Sequence, residues 1–319
     1  MDQLLCKRRR VLAALALAPF ASLAATDYPV RPLRWVVASP PGSGGDVIAR
    51  LVATEVAKLL GQTIVIDNKP GADGNIAASA VVGAKPDGYT LLFNYTSHVT
   101  NPSLRSQPFD AIKDFTPISM LATNWTTLVV RGDSPAKSVT ELVAMAKKKP
   151  GALSVGFLPG SITHLAAELL FSETGMDVLR VPYKANNDAI KDLMGGRIDF
   201  SFSTIAPIQG FLQNGTLRAL AVTDPSRSEL LPGVPTMAEV IPGFSATGWY
   251  GLVGPKGLPP EIVTTLNSAV RRVLSDPETR TRLLQQGSQP NPTSPQEFGA
   301  FIAREIPRWE KVIKNANIQ

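Results

Sequence analysis

The strongest constraint on the fold is a strand-like run that ends in a glycine-rich turn and continues as an amphipathic helix. Residues 34–39 read RWVVAS, residues 40–45 read PPGSGG, and the helical pattern follows from Asp46 to Leu60. Apolar residues recur there every three or four positions, which is typical of a helix with one buried face. A turn of this kind aims backbone N–H groups at one point, where the helix dipole adds partial positive charge. The segment therefore indicates an anion site, although a tight turn that only packs the helix on its sheet is an alternative.

Strands and helices alternate along the first two thirds of the chain. Short buried strands are expected at residues 63–68 (TIVIDN) and 89–94 (YTLLFN), with a second helix at about residues 75–83. This β-α-β-α-β order predicts a parallel sheet. The pattern restarts near residue 130, which predicts a second lobe of similar α/β build, and helices replace strands from about residue 255.

Local signals mark several helix ends. Ser138 with Glu141, and Ser294 with Glu297, have the spacing of capping boxes at helix N-termini. The basic tract KKKP at residues 147–150 is expected to end a helix, because lysines complement the dipole there. Pro307 lies inside the last helical pattern and should kink it.

The start of the chain has the layout of an export signal. KRRR at residues 7–10 precedes an apolar run that is too short to span a bilayer, and Ser22 and Ala24 fit a cleavage site before Ala25. The general secretion route and the twin-arginine route both remain open. The single cysteine, Cys6, would leave with the signal, so the mature chain should hold no disulfide or thiolate site.

The charge of the mature chain argues against nucleic acid as a partner. Residues 1–24 contain four basic residues and one acidic residue, so their removal lowers the formal net charge from +6 to +3. The basic tract at 147–150 is the one concentration of positive charge in the remainder. A net charge this mild gives little attraction to a phosphate backbone.

Four loops that follow predicted strands and precede predicted helices are rich in Gly, Ser, Thr or Asn. They read SPPGSGGD at 39–46, NYTSH at 94–98, LPGSITH at 158–164 and KANND at 184–188. In open α/β sheets, ligands bind at the carboxyl ends of the strands. We therefore expect two loops from each half of the chain to face each other across a cleft.

Enzyme chemistry has little support in the residues. The G-x-G-x-x-G/A fingerprint of dinucleotide-binding folds would need Gly or Ala where this chain has Val47. Asp67 does match the acidic residue that follows the second strand in such folds. The chain has two histidines, His98 and His164, and lacks both an HExxH and a G-x-S-x-G motif. His164 is open to three interpretations: a helix-start residue bonded to its own loop, a ligand contact, or a general base. No spacing indicates a metal site, and no cofactor is expected.

Other residues are open to a structural or a functional interpretation. Asp46 is expected to be an N-terminal cap or a partner of the helix dipole rather than a ligand contact, because a carboxylate in the loop would repel the bound anion. Asn186 and Asp188 could cap a helix or contact ligand, and Trp249 could lie in the core or in the cleft wall.

The motifs, taken together and in order, resemble the extracytoplasmic solute receptors of tripartite tricarboxylate transporters, the Bug family. The resemblance covers essentially the whole mature chain, and its motifs read VASPPGSGGDVIARLVA, DNKPGADGNIAASAVVGAKPDGYTLL, KDFTPISMLA, VPYKANNDAIKDLMGGRIDF, LRALAVTDPSRSELLPGVPTMAE and GWYGLVGP. It implies a type II periplasmic binding protein of α/β class, a Venus flytrap with two sheets flanked by helices. Residues 25–125 and 248–319 would form lobe 1, and residues 126–247 would form lobe 2.

The function implied by the resemblance is that of a periplasmic receptor rather than an enzyme. It would act as a monomer, bind a small organic acid between its lobes and deliver it to a membrane permease. The alternatives are an orphan carboxylate sensor that presents its ligand to a signalling partner, and a periplasmic hydrolase.

The family's ligand contacts are backbone amides, hydroxyls and bridging waters, and they are carried onto this chain by motif. In the first lobe they fall on Ser39, Ser43, Gly44, Gly45, Thr96 and Ser97; in the second they fall on Gly160, Ser161, Thr163, His164, Ala185, Asn186, Asp188, Ser203 and Thr204.

The segment GFLPGSITH at residues 156–164 departs from the Gly/Ser-rich pattern usual in the family and carries Phe157, Leu158 and Pro159. Apolar side chains beside the ligand predict an acid with one carboxylate and a body less polar than citrate. The competing interpretation is that these three residues face the core of their lobe.

Overall fold

The computed structural model describes residues 28–315, except 160, 206 and 225. The expected signal segment with Cys6, the cleavage site before Ala25, and Gly160 lie outside these residues.

The first part of the chain contains four strands and three helices. In chain order they are β1 (Leu33–Val37), α1 (Gly44–Leu60), β2 (Ile64–Asn68), α2 (Asn75–Val82), β3 (Thr90–Tyr95), α3 (Ser97–Leu104) and β4 (Phe115–Asn124), with a short 3-10 helix at Ala72–Gly74. The first helix therefore starts two residues before the expected position, and Gly61 ends it with a left-handed φ of 65°. Glycine adopts this conformation without a steric penalty, which is why it ends helices so often.

The second part, beginning at residue 127, repeats the alternation. It consists of β5 (Thr127–Arg131), α4 (Val139–Lys148), β6 (Ser154–Phe157), α5 (Ile162–Thr174), β7 (Leu179–Pro182), α6 (Asn186–Met194), β8 (Phe200–Ser203), α7 (Gln209–Gln213), β9 (Leu217–Val222) and α8 (Met237–Val240). The last part contains β10 (Gly248–Pro255), α9 (Pro260–Ser275), α10 (Pro277–Gln285), β11 (Gln289–Pro290) and α11 (Pro295–Asn315).

These strands form two separate sheets. The first has the order β2-β1-β3-β10-β4-β11, and the second has the order β7-β6-β8-β5-β9. The chain passes from the first sheet to the second between β4 and β5, and it returns between β9 and β10.

The prediction of a parallel sheet is correct for β2, β1 and β3 but wrong for the whole sheet, because both sheets are mixed. β1 runs parallel to β2 and β3, whereas β10 runs antiparallel to β3 and β4. β10 lies about 150 residues beyond β3 in the sequence, so the local alternation of strands and helices carries no information about its direction.

The expected helix-end signals are present. Ser138 Oγ accepts from the Glu141 amide at 3.1 Å, while the Glu141 carboxylate accepts from the Lys137 amide. Ser294 and Glu297 form a reciprocal capping box, with distances of 3.2 and 2.8 Å. α4 ends at Lys148 as predicted. Pro307 lies within α11, and the helix continues past it to Asn315.

Large apolar side chains fill the layers between sheets and helices. Trp35 on β1 is fully buried and packs with the buried face of α1 and with α9. A second cluster reaches from Val36 and Leu92 in the first sheet to Leu165 on α5, so it joins both parts of the molecule. Within the described ranges, none of the helices combines the length and hydropathy needed to cross a bilayer.

Candidate functional site

A cavity of about 330 Å³ lies where loops from the two sheets approach each other. The loops after β1 and β3 contribute from the first sheet, and the loop after β6 contributes from the second. The described residues that line it are Ser39, Ser43, Gly45, Asp73, Tyr95, Thr96, Ser97, Thr100, Asn101, Leu104, Asn124, Leu158, Pro159, Ser161, Ile162, Leu165, Gly248, Trp249 and Tyr250.

The turn before α1 is held by a buried carboxylate. Asp46 accepts hydrogen bonds from the Gly42 amide at 2.9 Å, from Asn68 Nδ2 at 2.8 Å and from Arg50 Nε at 3.0 Å. Burial alone would raise the pKa of this carboxyl, but the hydrogen bonds outweigh that effect and hold the pKa below its ordinary value. Asp46 thus shapes the loop from behind, in agreement with its expected structural role.

Glycine at position 45 allows the Ser39 hydroxyl to lie against the first turn of α1. A Cβ placed on Gly45 would be 2.7 Å from Ser39 Oγ, which is closer than real Cβ atoms approach an oxygen. Ser39 Oγ is shielded from solvent and has no hydrogen-bond partner in the part of the chain that the structure describes. Gly44, also a predicted contact, is exposed and lies beside the cavity rather than in its wall.

α3 brings two more predicted residues to the same place. Thr96 is the N-cap residue of α3 and Ser97 is its first residue, and both line the cavity. Thr96 Oγ1 accepts from the Trp249 amide at 3.2 Å, which ties the start of α3 to β10. Trp249 itself is buried, with its ring edge-to-face on Phe298 at 5.4 Å, and it also forms part of the cavity wall. Trp249 therefore belongs both to the core and to the cleft.

Tyr250 on β10 supplies a hydroxyl that the sequence did not predict. Its ring stacks on Phe93 at 5.5 Å, and its Oη accepts from Asn124 Nδ2 at 3.4 Å. Burial, with a smaller contribution from Tyr95, raises the pKa of Tyr250 to about 12. The hydroxyl is therefore protonated at neutral pH, and its hydrogen can be donated to a ligand.

The second sheet contributes the start of α5. Ser161 is the N-cap residue, and its hydroxyl donates to the Leu158 carbonyl at 2.7 Å and lies 2.7 Å from Thr163 Oγ1. Thr163 is fully buried and bonds to Asn186 Oδ1 at 3.1 Å. Ser161 lines the cavity, whereas Thr163 and Asn186 stand behind it.

His164 belongs to a buried cluster beneath this loop. Its ring stacks parallel to Phe157, with centroids 4.1 Å apart and planes 7° apart, and its Nε2 lies 3.7 Å from Glu168 Oε1. Arg180 holds Glu168 with two hydrogen bonds of 2.7 and 3.0 Å. Burial would raise the pKa of Glu168, but His164 and Arg180 outweigh it and lower that pKa.

The remaining predicted contacts of the second lobe do not line the cavity. Ala185 is the N-cap residue of α6, and Asp188 in its first turn pairs with Lys191 at 3.1 Å. Ser203 is buried at the end of β8 and donates to the Thr204 carbonyl. Ligand contact stays a prediction for all the predicted residues, and the described ones that do not line the cavity are Gly44, Thr163, His164, Ala185, Asn186, Asp188, Ser203 and Thr204.

The apolar residues that stand at the end of β6 and after it, in place of the family's Gly/Ser-rich pattern, are divided between the lobe core and the cleft. Phe157 is buried against His164, whereas Leu158 and Pro159 line the cavity. The structure thus places Phe157 in the lobe core and Leu158 and Pro159 in the cavity wall, and contact of these two residues with a ligand stays a prediction.

A second, larger cavity of about 780 Å³ lies on another side of Trp249. Its wall includes Asp224, Glu297 and Glu305, with Arg304 as the basic residue among its described lining. This excess of carboxylates disfavours an anion. No cluster of three or more His, Cys, Asp or Glu with the geometry of a metal site occurs among the residues that the structure describes.

The fold is that of a two-lobed solute-binding protein, and the first cavity lies between its two mixed α/β sheets. The chain belongs to the tripartite tricarboxylate transporter receptor family, because the model of that family matches residues 48–318. BugT of Bordetella pertussis is 34% identical over 299 residues, which cover 92% of each chain. The members of this family are receptors rather than enzymes.

Solved structures show the same architecture. A Rhodopseudomonas palustris protein with bound malate, MatC, is 33% identical with a TM-score of 0.71 and covers 90% of this chain and 100% of its own. An R. palustris protein with adipate, Rpa4515, is 36% identical with a TM-score of 0.75 over 91% of this chain and 99% of its own. A ligand-free TctC solute-binding protein from Polaromonas is 32% identical with a TM-score of 0.82, covering 90% and 99%.

Proposed function

We propose that this protein is a periplasmic receptor that binds a small organic carboxylate in the 330 Å³ cavity and delivers it to the membrane permease of a tripartite transporter. One observation carries the proposal: the N-termini of α1, α3 and α5 all reach the same cavity, each with a serine or threonine hydroxyl. The first N–H groups of a helix have no partner within the helix and carry partial positive charge. Three such ends form a site for an anion.

The carboxylate is held by neutral donors. Among the described lining residues there is no lysine or arginine, and the donors are backbone amides, hydroxyls, the side-chain amides of Asn101 and Asn124, and the indole of Trp249. Hydrogen bonds from such donors to an ionised carboxylate are stronger than those between neutral groups. The adipate and malate bound by the two R. palustris relatives support a carboxylate as the ligand class.

The lobes close on the ligand. Lobe 1 consists of residues 25–125 and 248–319, and lobe 2 consists of residues 126–247. The two short crossings between the sheets, after β4 and before β10, act as the hinge.

The receptor acts in the periplasm as a monomer after cleavage of the signal segment before Ala25. The basic start, the short apolar run and the Ser22/Ala24 pair motivate this site of cleavage. Mass spectrometry of the exported protein tests it, and an intact N-terminus on the functional receptor would contradict it.

A thermal-shift screen of the purified mature chain against organic acids tests the ligand class. A ligand at 100 times its dissociation constant stabilises the folded state by about 2.7 kcal/mol. We expect at least one acid among hexanoate, adipate, malate and citrate to raise the melting temperature without being consumed. Absence of any shift across a broad panel of carboxylates would contradict the proposal.

A further inference from the structure

The wall of the cavity changes from polar to apolar side chains along α3. The residues of this helix that line the cavity are Ser97, Thr100, Asn101 and Leu104, which share one helical face. That face runs from a hydroxyl at the N-terminus to a leucine about 10 Å further along the axis. A ligand anchored at the start of α3 therefore extends toward an apolar end.

α5, in the other lobe, shows the same change from a hydroxyl at its start to aliphatic side chains further along. Its N-cap Ser161 is followed by Ile162 and Leu165, which line the cavity, and it is preceded by Leu158. Leu165 is buried in the cluster that joins the two lobes, and Leu104 packs against that cluster. The body of a ligand would thus be enclosed by aliphatic side chains from both lobes.

The single charged side chain among the described lining residues is acidic. Asp73 lies in the short 3-10 helix after β2 and has a left-handed φ of 48°, and its carbonyl accepts from Asn101 Nδ2 at 3.0 Å. Its carboxylate pairs with Arg105, which follows Leu104 directly. Asp73 therefore places its charge beside the C-terminal half of α3.

Arg105 does not turn this end into an anion site. The Asp73 carboxylate is part of the cavity wall, whereas Arg105 approaches it from outside the described lining. Both side chains of the pair are about half exposed, and a pair of this kind holds its partners only weakly. A second carboxylate on the ligand would meet Asp73 and aliphatic carbons, and it would lose hydration without gaining a compensating partner.

We propose that the bound acid carries a single carboxylate at the α1–α3 end and an uncharged, largely apolar body along α3 and α5, and that Asp73 discriminates against a second anionic group. This inference rests on the proposed function, since it assumes a carboxylate in the same cavity. It narrows the ligand class to monocarboxylates, in contrast to the adipate and malate of the two relatives.

Hexanoate and adipate form a matched pair of probes, because they share a six-carbon chain and differ in the group at one end. Calorimetry of the mature chain at pH 7 is expected to show hexanoate binding about tenfold or more tightly than adipate, as like-charge repulsion requires. Asp73→Asn keeps a residue that tolerates a left-handed φ, and it should reduce this preference at least about fivefold by improving adipate. Leu158→Ser should reduce it by weakening hexanoate.

Asp133→Asn is the matched control, because it removes an exposed acidic residue that also pairs with an arginine, Arg131, and does not line the cavity. This variant should leave the ratio of the two affinities unchanged. Melting curves of all variants check that each is folded.

Adipate binding as tightly as hexanoate would overturn the inference. If Arg105→Gln then weakens adipate alone, Arg105 is the clamp for a second carboxylate. Binding of malate or citrate without hexanoate would also overturn it, while the receptor function stands. If none of the four acids nor any other carboxylate binds, the proposed function fails together with the inference.

Discussion

Ser39 Oγ lies so close to Gly45 that a side chain at position 45 would have to displace it: the Cβ of an alanine there would be 2.7 Å from that oxygen. The contact joins the end of β1 to the first turn of α1, and it places a hydroxyl next to the helix N-terminus. The neighbouring Gly44 is different, since a Cβ at that position would have an ordinary contact of 3.8 Å with Tyr250 Oη.

Gly45→Ala should therefore weaken carboxylate binding much more than Gly44→Ala. The added methyl group forces the Ser39 hydroxyl out of its position, and loss of one hydrogen bond to a charged ligand costs about 1.5 kcal/mol or more. We expect Gly45→Ala to raise the dissociation constant about tenfold, and Gly44→Ala to change it less than about threefold. Calorimetry of both variants measures this, and equal losses would contradict the role of Ser39.

Tyr250→Phe is expected to remove a ligand donor with little effect on the fold. Because Asn124 donates to the Tyr250 hydroxyl, the hydrogen of that hydroxyl is left for the ligand. A hydrogen bond to a charged group contributes about 1.5–3 kcal/mol, which corresponds to about a tenfold to hundredfold loss of affinity.

Tyr183→Phe serves as the control, because the Tyr183 hydroxyl bonds to Asp192 and not to the cavity. The two variants are compared by calorimetry under the same conditions. Similar affinities for Tyr250→Phe and the unmodified protein would exclude the hydroxyl as an anchor.

His98 predicts how the stability of the fold depends on pH. The ring is buried, with Nε2 at 2.8 Å from the Ala111 carbonyl, and burial lowers the pKa of His98 from 6.5 to about 4. As pH falls below 6.5, the unfolded chain binds a proton that the folded chain does not, so stability is lost between pH 6.5 and 4. Since one pKa unit corresponds to about 1.4 kcal/mol, the loss at pH 4.5 is about 2–3 kcal/mol.

Urea unfolding at pH 7 and pH 4.5 measures this loss. His98→Gln can keep the hydrogen bond to Ala111 without the titration, so its stability should fall much less between the two pH values. His164→Gln, which removes the other histidine of the chain, should retain the loss attributed to His98. A variant of His98 with the same pH dependence as the unmodified protein would contradict this assignment.

Lobe closure predicts a change of shape on binding. Solution scattering of the mature chain, alone and with a saturating acid identified by calorimetry, should show a smaller radius of gyration in the complex. Gly45→Ala at the same acid concentration is the control, because its weakened site should leave more of the protein open. An unchanged radius in a sample that calorimetry shows to be saturated would indicate a rigid site.

The local features of the fold could be predicted from the sequence because they depend on neighbouring residues. The amphipathic stripe of α1, its end at Gly61 and the capping box at Ser294 are of this kind. The direction of β10 could not be predicted, since it depends on pairing with β3 and β4, which are far away in the sequence.

The same limit applies to the site. The composition of the loops at the strand ends predicted a cleft, and the family resemblance placed ligand contacts in those loops at Ser39, Ser43, Gly45, Thr96, Ser97 and Ser161, all of which line the cavity. Tyr250 and Asn124 were missed because they reach it only through the pairing of β10 with β3 and β4. The signal that could have pointed to Tyr250 is the aromatic pair between two glycines in GWYG, but the sequence does not show which strands lie beside it.

Asp73 and Leu104 were missed for a different reason. Both lie outside the four polar loops that were weighed, and Leu104 is an apolar residue near the end of a helix. Their importance depends on α3 lying along the cavity, which a sequence does not show.

A crystal structure of the mature chain grown with hexanoate tests the central claim most directly. The account predicts closed lobes and a carboxylate within hydrogen-bond distance of Tyr250 Oη, Ser39 Oγ and the Gly45 amide, with the aliphatic chain against Leu104 and Leu165. A carboxylate bound in the acidic cavity beside Glu297 and Glu305, or an empty cleft in crystals of a complex that calorimetry shows to be saturated, would contradict it.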